Sequence, residues 1–132
     1  MGKLDGKVAF ITGAARGQGR SHAVRLAEEG ADIIAIDIGA PDADIALAYP
    51  AATDGDLAET VQLVRATGRR VVAETADVRD YAALDKALQR GVDELGRLDV
   101  VVANAGVLLL GKKTHEVTEL EWDVVVDTNL KG

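Results

Sequence analysis

Short aliphatic runs alternate with amphipathic stretches along this chain. The aliphatic runs are rich in β-branched residues and end at turn residues, which predicts four buried strands over residues 8–12, 31–36, 70–76 and 98–103. Between them, apolar residues recur every three or four positions, which predicts helices over residues 18–29, 53–67 and 80–95. A last helix is expected to open at Thr118, because Thr118 and Glu121 have the spacing of a capping box. We expect Trp122 on that helix to be packed.

This order of elements predicts an α/β fold in three layers, α/β/α. Strands that are aliphatic throughout are buried on both faces, so we expect a parallel sheet with helices above and below it. In a doubly wound sheet the strand order would be 3-2-1-4. The fourth strand would then lie at an open edge and expose Val100, Val101 and Val102 along it. An apolar open edge favours association, so we expect the chain on its own to be insoluble, oligomeric or molten.

Composition narrows the class of protein. The 132 residues suffice for one domain, and 48% hydrophobic residues are enough for a packed core. The 22 acidic residues outnumber the 15 basic ones, and the net charge of −7 disfavours nucleic acid and membranes as partners. The absence of cysteine excludes disulfides, thiolate metal sites and cysteine catalysis. The sequence has no metal-ligand spacing, signal peptide or long apolar span, so we expect no metal site and a cytoplasmic location.

A glycine-rich loop follows the first predicted strand and leads directly into the first predicted helix. Gly13 would allow a tight turn, Gly17 would let the backbone approach a pyrophosphate, and Gly19 would let the helix pack closely on the strand. The start of the helix would offer free N–H groups and a positive dipole end to phosphates. This spacing between a strand and a helix indicates a dinucleotide site, and the alternative is a glycine-rich turn that binds nothing.

Asp37 ends the second predicted strand, 18 residues after Gly19. Dinucleotide-binding folds place there the acidic residue that accepts hydrogen bonds from the ribose hydroxyls. Its charge would repel a 2′-phosphate, so we predict NAD rather than NADP as the cofactor. The alternative is an aspartate that only caps the next turn.

These motifs, together with three others, resemble those of the short-chain dehydrogenase/reductase family over the whole chain. The resemblance rests on residues after the predicted strands and in the last helix: Thr12, Gly13, Gly17, Gly19, Asp77, Val78, Asn104, Ala105, Gly106 and Asn129. It implies a Rossmann-type doubly wound parallel sheet, truncated here after the fourth strand and the following helix. One departure is Ala103, where the family commonly has a first asparagine of mainly structural importance.

The resemblance also implies the roles of individual residues. Asp77 would lie by the adenine with the Val78 backbone beside it, residues 104–106 would pass under the adenosine ribose, and Asn129 would belong to the proton relay. A basic residue before the second glycine often accompanies NADP in this family, but we give more weight to the acidic strand end and expect Arg16 to pair with a surface carboxylate. The expected cofactor-binding residues are Gly13, Ala15, Arg16, Gly17, Gln18, Gly19, Asp37, Ile38, Asp77, Val78, Asn104, Ala105 and Gly106.

The family's catalytic serine and its Tyr-x-x-x-Lys motif are not found in this chain. Neither Tyr49 nor Tyr81 has a lysine four residues later, and the one serine, Ser21, lies in the first predicted helix. Asn129 is therefore the one expected catalytic residue. We expect residues 1–132 to be the NAD-binding portion of a single-domain enzyme, inactive without a C-terminal catalytic half. A non-catalytic NAD-binding module and a non-functional fragment are the alternatives.

A closer resemblance is to the mycofactocin-coupled branch of the family, which is similar to the carveol dehydrogenases of actinobacteria. It rests on residues 2–23, 36–38 and 101–106. It implies hydride transfer between a secondary alcohol or ketone, such as the terpenoid carveol, and a tightly held NAD that passes its electrons to mycofactocin. The long connection 38–52 would help to cover the cofactor, and the full-length protein is expected to be a homotetramer. A conventional NAD(P)-dependent ketoreductase is the alternative.

Overall fold

The computed structural model describes residues 2–40 and 49–132, and these contain the predicted parallel sheet. Four strands pair in the order β3-β2-β1-β4, and each pairing is parallel. The strands are β1 Val8–Thr12, β2 Asp32–Asp37, β3 Val71–Thr75 and β4 Val100–Val102. The strand order expected for a doubly wound sheet is confirmed.

Four α-helices follow the strands along the chain. They are α1 Gly17–Glu28, α2 Asp54–Ala66, α3 Tyr81–Leu95 and α4 Glu119–Val126. All the predicted helices and strands are present, and their ends differ from the predicted ones by no more than two residues. A 3-10 turn at Thr114–Glu116 and a π turn at Asp127–Lys131 were not predicted, because a single turn leaves no periodic pattern in the sequence.

The sheet is buried on both faces, because successive side chains along a strand point to opposite sides. On one face, Ala9, Ile11 and Ile33 pack with buried residues of α1 and α2. On the other face, Phe10 and Ile34 pack with buried residues of α3. The three-layer arrangement is therefore confirmed. Within the described ranges, no helix combines the length and apolarity needed to cross a bilayer.

The start of α4 agrees with the sequence, but its packing does not. The Glu121 N–H donates to Thr118 Oγ1 at 3.2 Å, and the Thr118 N–H donates to Glu121 Oε2 at 2.9 Å, which confirms the capping box. Trp122 is 62% exposed, so the expectation that it is packed is wrong. The helix has Val124 as its buried residue, and Trp122, two positions earlier, lies on its exposed side.

The edge strand β4 is anchored at its start by Asp99. The Val8 N–H donates to Asp99 Oδ2 at 2.9 Å, and the Asp99 N–H donates to the Val8 carbonyl at 2.9 Å. Hydrogen bonds from the Arg97 side chain and from the Val8 N–H lower the pKa of Asp99 to about 2. Further along β4, Val101 is 59% exposed, and the association expected through this edge stays a prediction.

We predict that Asp99→Asn destabilises the fold at neutral pH and has less effect in acid. The pKa of Asp99 is lower in the folded chain, so the carboxylate's stabilisation is complete above the unfolded pKa of about 3.9. It is lost as the pH falls toward the folded pKa of about 2. Urea unfolding of wild type and variant at pH 7 and near pH 2 measures this. The exposed Asp85→Asn on α3 is the control, and an equal loss for Asp99→Asn at both pH values would contradict the prediction.

Gly19 lies where α1 packs against the loop that leaves β1. A Cβ added there would lie 1.9 Å from the carbonyl oxygen of Gly13 and 2.8 Å from Nδ2 of Asn104. The close approach expected at Gly19 is therefore made to the glycine-rich loop and not to the strand itself. Because Gly19 has no side chain, the start of α1 and the glycine-rich loop can pack together in one compact turn.

We predict that Gly19→Ala lowers the stability of the fold whereas Gly55→Ala does not. The added methyl group at Gly19 would force the loop away, and such overpacking costs about 1–3 kcal/mol. A Cβ at Gly55 on α2 would meet nothing closer than 3.5 Å, so better helix propensity should stabilise that variant by up to about 1 kcal/mol. Thermal unfolding of both variants measures the difference, and equal melting temperatures would argue against this packing.

Candidate functional site

A cleft of about 420 Å³ lies at the carboxyl ends of the strands. The first strand is flanked there by β2 on one side and by β4 on the other, which is the switch point where parallel sheets bind ligands. The described residues that line it are Gly13, Arg16, Gly17, Gln18, Ile36, Asp37, Ile38, Tyr49, Ala51, Ala52, Ala76, Asp77, Val78, Arg79, Asn104, Ala105, Gly106, Val107, Val124 and Thr128. Two of the expected cofactor-binding residues, Ala15 and Gly19, are buried and lie outside this lining.

The loop between β1 and α1 presents backbone to the cleft. Gly13 and Gly17 have φ angles of 66° and 56°, in the left-handed region that favours glycine. A Cβ at Gly17 would have nothing within 4 Å, so the loop is open at this residue. Arg16 is the N-cap of α1, and its side chain makes no capping hydrogen bond. The first N–H groups of α1 are therefore available to an acceptor such as a phosphate.

Asp37 is held at the end of β2 with its carboxylate at the cleft. Its Oδ2 accepts a hydrogen bond from the Ala15 N–H at 2.9 Å, and its Oδ1 accepts one from the Ile38 N–H at 2.8 Å. An ionised carboxylate has about four acceptor positions, so each oxygen can accept a further bond from a ligand. Asp37 thus caps the turn that follows β2, and it also orients a charged acceptor toward the cleft.

Thr12 joins the two loops on either side of the cleft. Its hydroxyl oxygen accepts hydrogen bonds from the N–H of Asn104 at 3.1 Å and from the N–H of Ala105 at 3.0 Å. In return, Asn104 Nδ2 donates to the carbonyl oxygens of Thr12 at 3.0 Å and of Gly13 at 3.2 Å. The Asn104 carboxamide is therefore used to hold the loops together, which the sequence did not reveal.

The Asp77 carboxylate is engaged by a near neighbour. Arg79 donates from Nε to both carboxylate oxygens at 3.0 Å, and its backbone N–H donates to Oδ1 at 2.9 Å. Hydrogen bonds from the Arg79 side chain hold the pKa of Asp77 below its usual range. Asp77 lines the cleft, as expected. Its charge is offset by Arg79, and this interaction was not predicted from the sequence.

Arg16 and Tyr49 form a contact across the mouth of the cleft. The Arg16 guanidinium donates to the carbonyl of Pro50 and lies 5.5 Å from the centre of the Tyr49 ring. The Tyr49 hydroxyl donates to the carbonyl of Gly106 at 3.2 Å. Within the described residues, Arg16 thus contacts a carbonyl and a ring in place of the expected surface carboxylate. Of the connection 38–52 that was expected to cover a cofactor, residues 41–48 lie outside the described part of the chain.

Asn129 lies in the π turn after α4 and pairs with the backbone of Val107. The Val107 N–H donates to Asn129 Oδ1 at 2.8 Å, and Asn129 Nδ2 donates to the Val107 carbonyl at 2.8 Å. This reciprocal pair fixes the segment that follows Gly106 at the edge of the cleft. The relay role implied for Asn129 stays a prediction. Tyr81, at the start of α3, is 81% exposed.

Sequence comparison places relatives of this chain among oxidoreductases. The family model described as short chain dehydrogenase matches residues 7–132. An uncharacterised NAD-dependent oxidoreductase of Mycobacterium tuberculosis is 56% identical over 131 residues, which cover 99% of this chain and 47% of the relative. The (−)-trans-carveol dehydrogenase of Rhodococcus erythropolis is 45% identical over 132 residues, covering 100% of this chain and 47% of the relative.

Solved structures agree with the sequence relatives. The carveol dehydrogenase of Mycobacterium avium, crystallised with NAD, is 57% identical, superposes with a TM-score of 0.94, and is matched over 99% of this chain and 47% of its own. A short chain dehydrogenase of Mycobacterium paratuberculosis bound to NAD is 51% identical with a TM-score of 0.93, over 98% of this chain and 47% of its own. The chain thus spans about half the length of the relatives it matches. On the strength of these matches, the chain belongs to the short-chain dehydrogenase family.

Proposed function

We propose that this chain forms the NAD-binding part of an oxidoreductase that transfers a hydride between a secondary alcohol or ketone and NAD. The observation that carries the proposal is the Asp37 carboxylate, held by the Ala15 and Ile38 N–H groups at the end of β2 where it lines the cleft. Relatives named as NAD-dependent and neighbouring structures crystallised with NAD support the choice of cofactor.

The described residues fit an NAD molecule. The glycine-rich loop is open at Gly17 and offers the first N–H groups of α1, as a pyrophosphate needs. Asp37 offers oxygen acceptors to the two hydroxyls of a ribose, whereas the charge of Asp77 is offset by Arg79. When bound, NAD supplies the nicotinamide ring that accepts or donates the hydride. The residues of this chain bind and orient that cofactor, and we propose that Asn129 belongs to the proton relay.

Electrostatics favours NAD over NADP at this site. A 2′-phosphate on the adenosine ribose would meet the ionised Asp37, and it would lose the hydrogen bonds that a free 2′-hydroxyl can donate. The nearby Arg16 does not offset this, because its guanidinium is turned to the Pro50 carbonyl and the Tyr49 ring. Repulsion and lost hydrogen bonds therefore act in the same direction.

We expect Asp37→Ala to weaken NAD binding and to remove the preference for NAD over NADP. Hydrogen bonds to a charged acceptor contribute about 1.5–3 kcal/mol, so NAD affinity should fall by roughly 10-fold to 100-fold. Calorimetric titration of both cofactors into the wild type and the variant measures this. Asp85→Ala, an exposed position on α3, is the matched control and should bind NAD like the wild type. Equal affinity of the wild type for both cofactors would remove Asp37 as the determinant.

We further propose that NAD stays bound between catalytic cycles and that mycofactocin accepts the electrons. Two contacts support retention, because the Tyr49 hydroxyl reaches Gly106 on the far loop while Arg16 holds Pro50 beside it. Both contacts must open before a covered nucleotide leaves, and affinity differences usually lie in such off-rates. The carveol dehydrogenase relatives support a terpenoid alcohol as substrate. A homotetrameric state and a cytoplasmic location are also proposed for the whole protein.

We predict that the whole protein purifies with NAD and does not turn over repeatedly when free NAD is the sole electron acceptor. The physical reason is slow release of reduced cofactor through the Tyr49 and Arg16 contacts. Steady-state oxidation of carveol with and without an artificial electron acceptor measures this, and Tyr49→Phe should speed cofactor exchange by removing the hydroxyl bond to Gly106. Saturating turnover with free NAD alone would leave a conventional NAD-dependent dehydrogenase. A whole protein that binds NAD without turnover under either condition would favour a non-catalytic binding module.

A further inference from the structure

A chain of hydrogen bonds runs from α2 to Asp37 through the back of the glycine-rich loop. Thr60, which is fully buried on α2, donates from its hydroxyl to the Ala14 carbonyl, whose oxygen lies 2.9 Å away. Arg20 Nε donates to the Thr60 hydroxyl oxygen at 3.0 Å. On the other side of the loop, the Ala15 N–H donates to Asp37 Oδ2 at 2.9 Å. None of these hydrogen bonds is among the contacts that the family motifs imply.

The link between the two sides is a single peptide group. The Ala14 carbonyl and the Ala15 N–H belong to the same planar trans peptide, so they point in opposite directions. Turning this peptide would break the bond to Thr60 and the bond to Asp37 together. The hydroxyl of Thr60 therefore sets the orientation of the N–H that holds the carboxylate.

The chain also has a consistent direction of polarisation. It begins at a guanidinium, passes through a hydroxyl and an amide, and ends at a carboxylate, with each group donating to the next. Hydrogen bonds in series strengthen one another at low local dielectric, and Thr60 and Ala15 are both buried. The positive charge of Arg20 behind the loop thus stabilises the hydrogen bond from the Ala15 N–H. That bond orients the Asp37 carboxylate in front of the loop.

Arg20 is itself fixed by several partners. Its NH2 donates to the Ala15 carbonyl at 2.7 Å and to the Asp56 carbonyl at 2.8 Å, and its NH1 lies 2.9 Å from Glu59 Oε2. The Thr60 hydroxyl oxygen also lies 3.0 Å from the Ala15 carbonyl oxygen, but that oxygen already accepts from both Nε and NH2 of Arg20, so we assign the single hydroxyl proton of Thr60 to the Ala14 carbonyl. The three donor nitrogens of Arg20 therefore fix the position of α2 relative to the glycine-rich loop.

We propose that Thr60 and Arg20 are positioning residues for cofactor recognition, which fix the Asp37 carboxylate for the adenosine ribose without touching the cofactor. The inference rests on the proposed function. It assigns part of the affinity for the ribose hydroxyls to a hydroxyl group on α2 that is not part of the cleft lining. A purely structural role would affect stability without affecting which ribose is bound.

The test compares Thr60→Val, which keeps the side-chain shape, with Thr60→Ser, which keeps the hydroxyl. In the whole protein stripped of bound nucleotide, Thr60→Val should weaken NAD binding about fivefold or more, the effect of losing one hydrogen bond. Thr60→Ser should restore most of that affinity. The matched control is Thr67→Val, because the Thr67 hydroxyl at the end of α2 donates to the Val64 carbonyl of its own helix at 2.7 Å. Calorimetry gives the dissociation constants, and thermal unfolding reports stability separately.

A double-mutant cycle and a second ligand isolate the positioning role. In the Asp37→Asn background, Thr60→Val should cause less than a twofold further loss, because the carboxylate that it orients is gone. The loss of affinity caused by Thr60→Val should be smaller for an NAD analogue that lacks the adenosine 2′-hydroxyl than for NAD itself. If Thr60→Val does not fold, Arg20→Lys removes the Nε donor and keeps the charge, and the same cycle applies to it.

The outcomes separate the inference from the proposed function. Unchanged NAD affinity in a folded Thr60→Val or Arg20→Lys variant overturns the inference and leaves the proposed function intact. Losses of NAD affinity that are fully additive with the loss caused by Asp37→Asn also overturn the inference, since they indicate a general effect on the fold. A wild-type protein that does not bind NAD overturns the proposed function, and the inference with it.

Discussion

The junction between the end of β1 and the end of β4 is the contact on which the cleft depends. The Thr12 hydroxyl accepts two backbone hydrogen bonds from the loop after β4, and Asn104 returns two bonds to the loop after β1. These bonds satisfy polar groups that would otherwise be left unpaired where the strands end. They also bring Ala105 so close to Gly13 that a Cβ at Gly13 would lie 2.9 Å from its Cα. The floor of the site is therefore built from backbone, and its side chains serve mainly to join loops.

The electrostatics of the cleft differ from those of the whole chain. The net charge is −7, yet the ligand proposed for the cleft is itself an anion at its pyrophosphate. The start of α1 and the loop N–H groups supply partial positive charge where phosphates would lie. Two acidic side chains line the cleft among the described residues, and one of them, Asp77, has its charge offset by Arg79. Asp37 differs, because its partners among the described residues are the neutral backbone N–H groups of Ala15 and Ile38.

The sequence was sufficient to predict the fold, because the fold follows from local patterns. Aliphatic runs, helical periodicity and the glycine spacing are properties of neighbouring residues, and the order of elements then restricts a parallel sheet to few topologies. Asp37 could be predicted in the same way, from its place at the end of a strand. The boundaries moved by one or two residues, since helix and strand ends depend on caps and pairing as well as on periodicity.

What could not be predicted are the hydrogen bonds that a side chain makes to the backbone of a residue distant in sequence. Thr60 reaches Ala14 across 46 positions and Arg16 reaches Pro50 across 34, and no periodic pattern relates such pairs. Trp122 was misjudged for a related reason, because a large apolar residue carries no information about which side of its own helix is covered. Arg16 was expected to find a carboxylate because charge is visible in a sequence, whereas a carbonyl acceptor is not.

The long sequence separation of the β1–β4 junction has a consequence for folding. Thr12 and Asn104 are 92 residues apart, and the chain between them contains α1, β2, α2, β3, α3 and β4. Contacts of such separation carry a large loop-closure cost and form late, after the intervening units have shortened the effective loop. Until they form, the glycine-rich loop lacks its hydrogen bonds to the loop after β4. We therefore expect the ability to hold a nucleotide to be acquired late in folding, and a ligand that binds there to stabilise the completed sheet and not its intermediates.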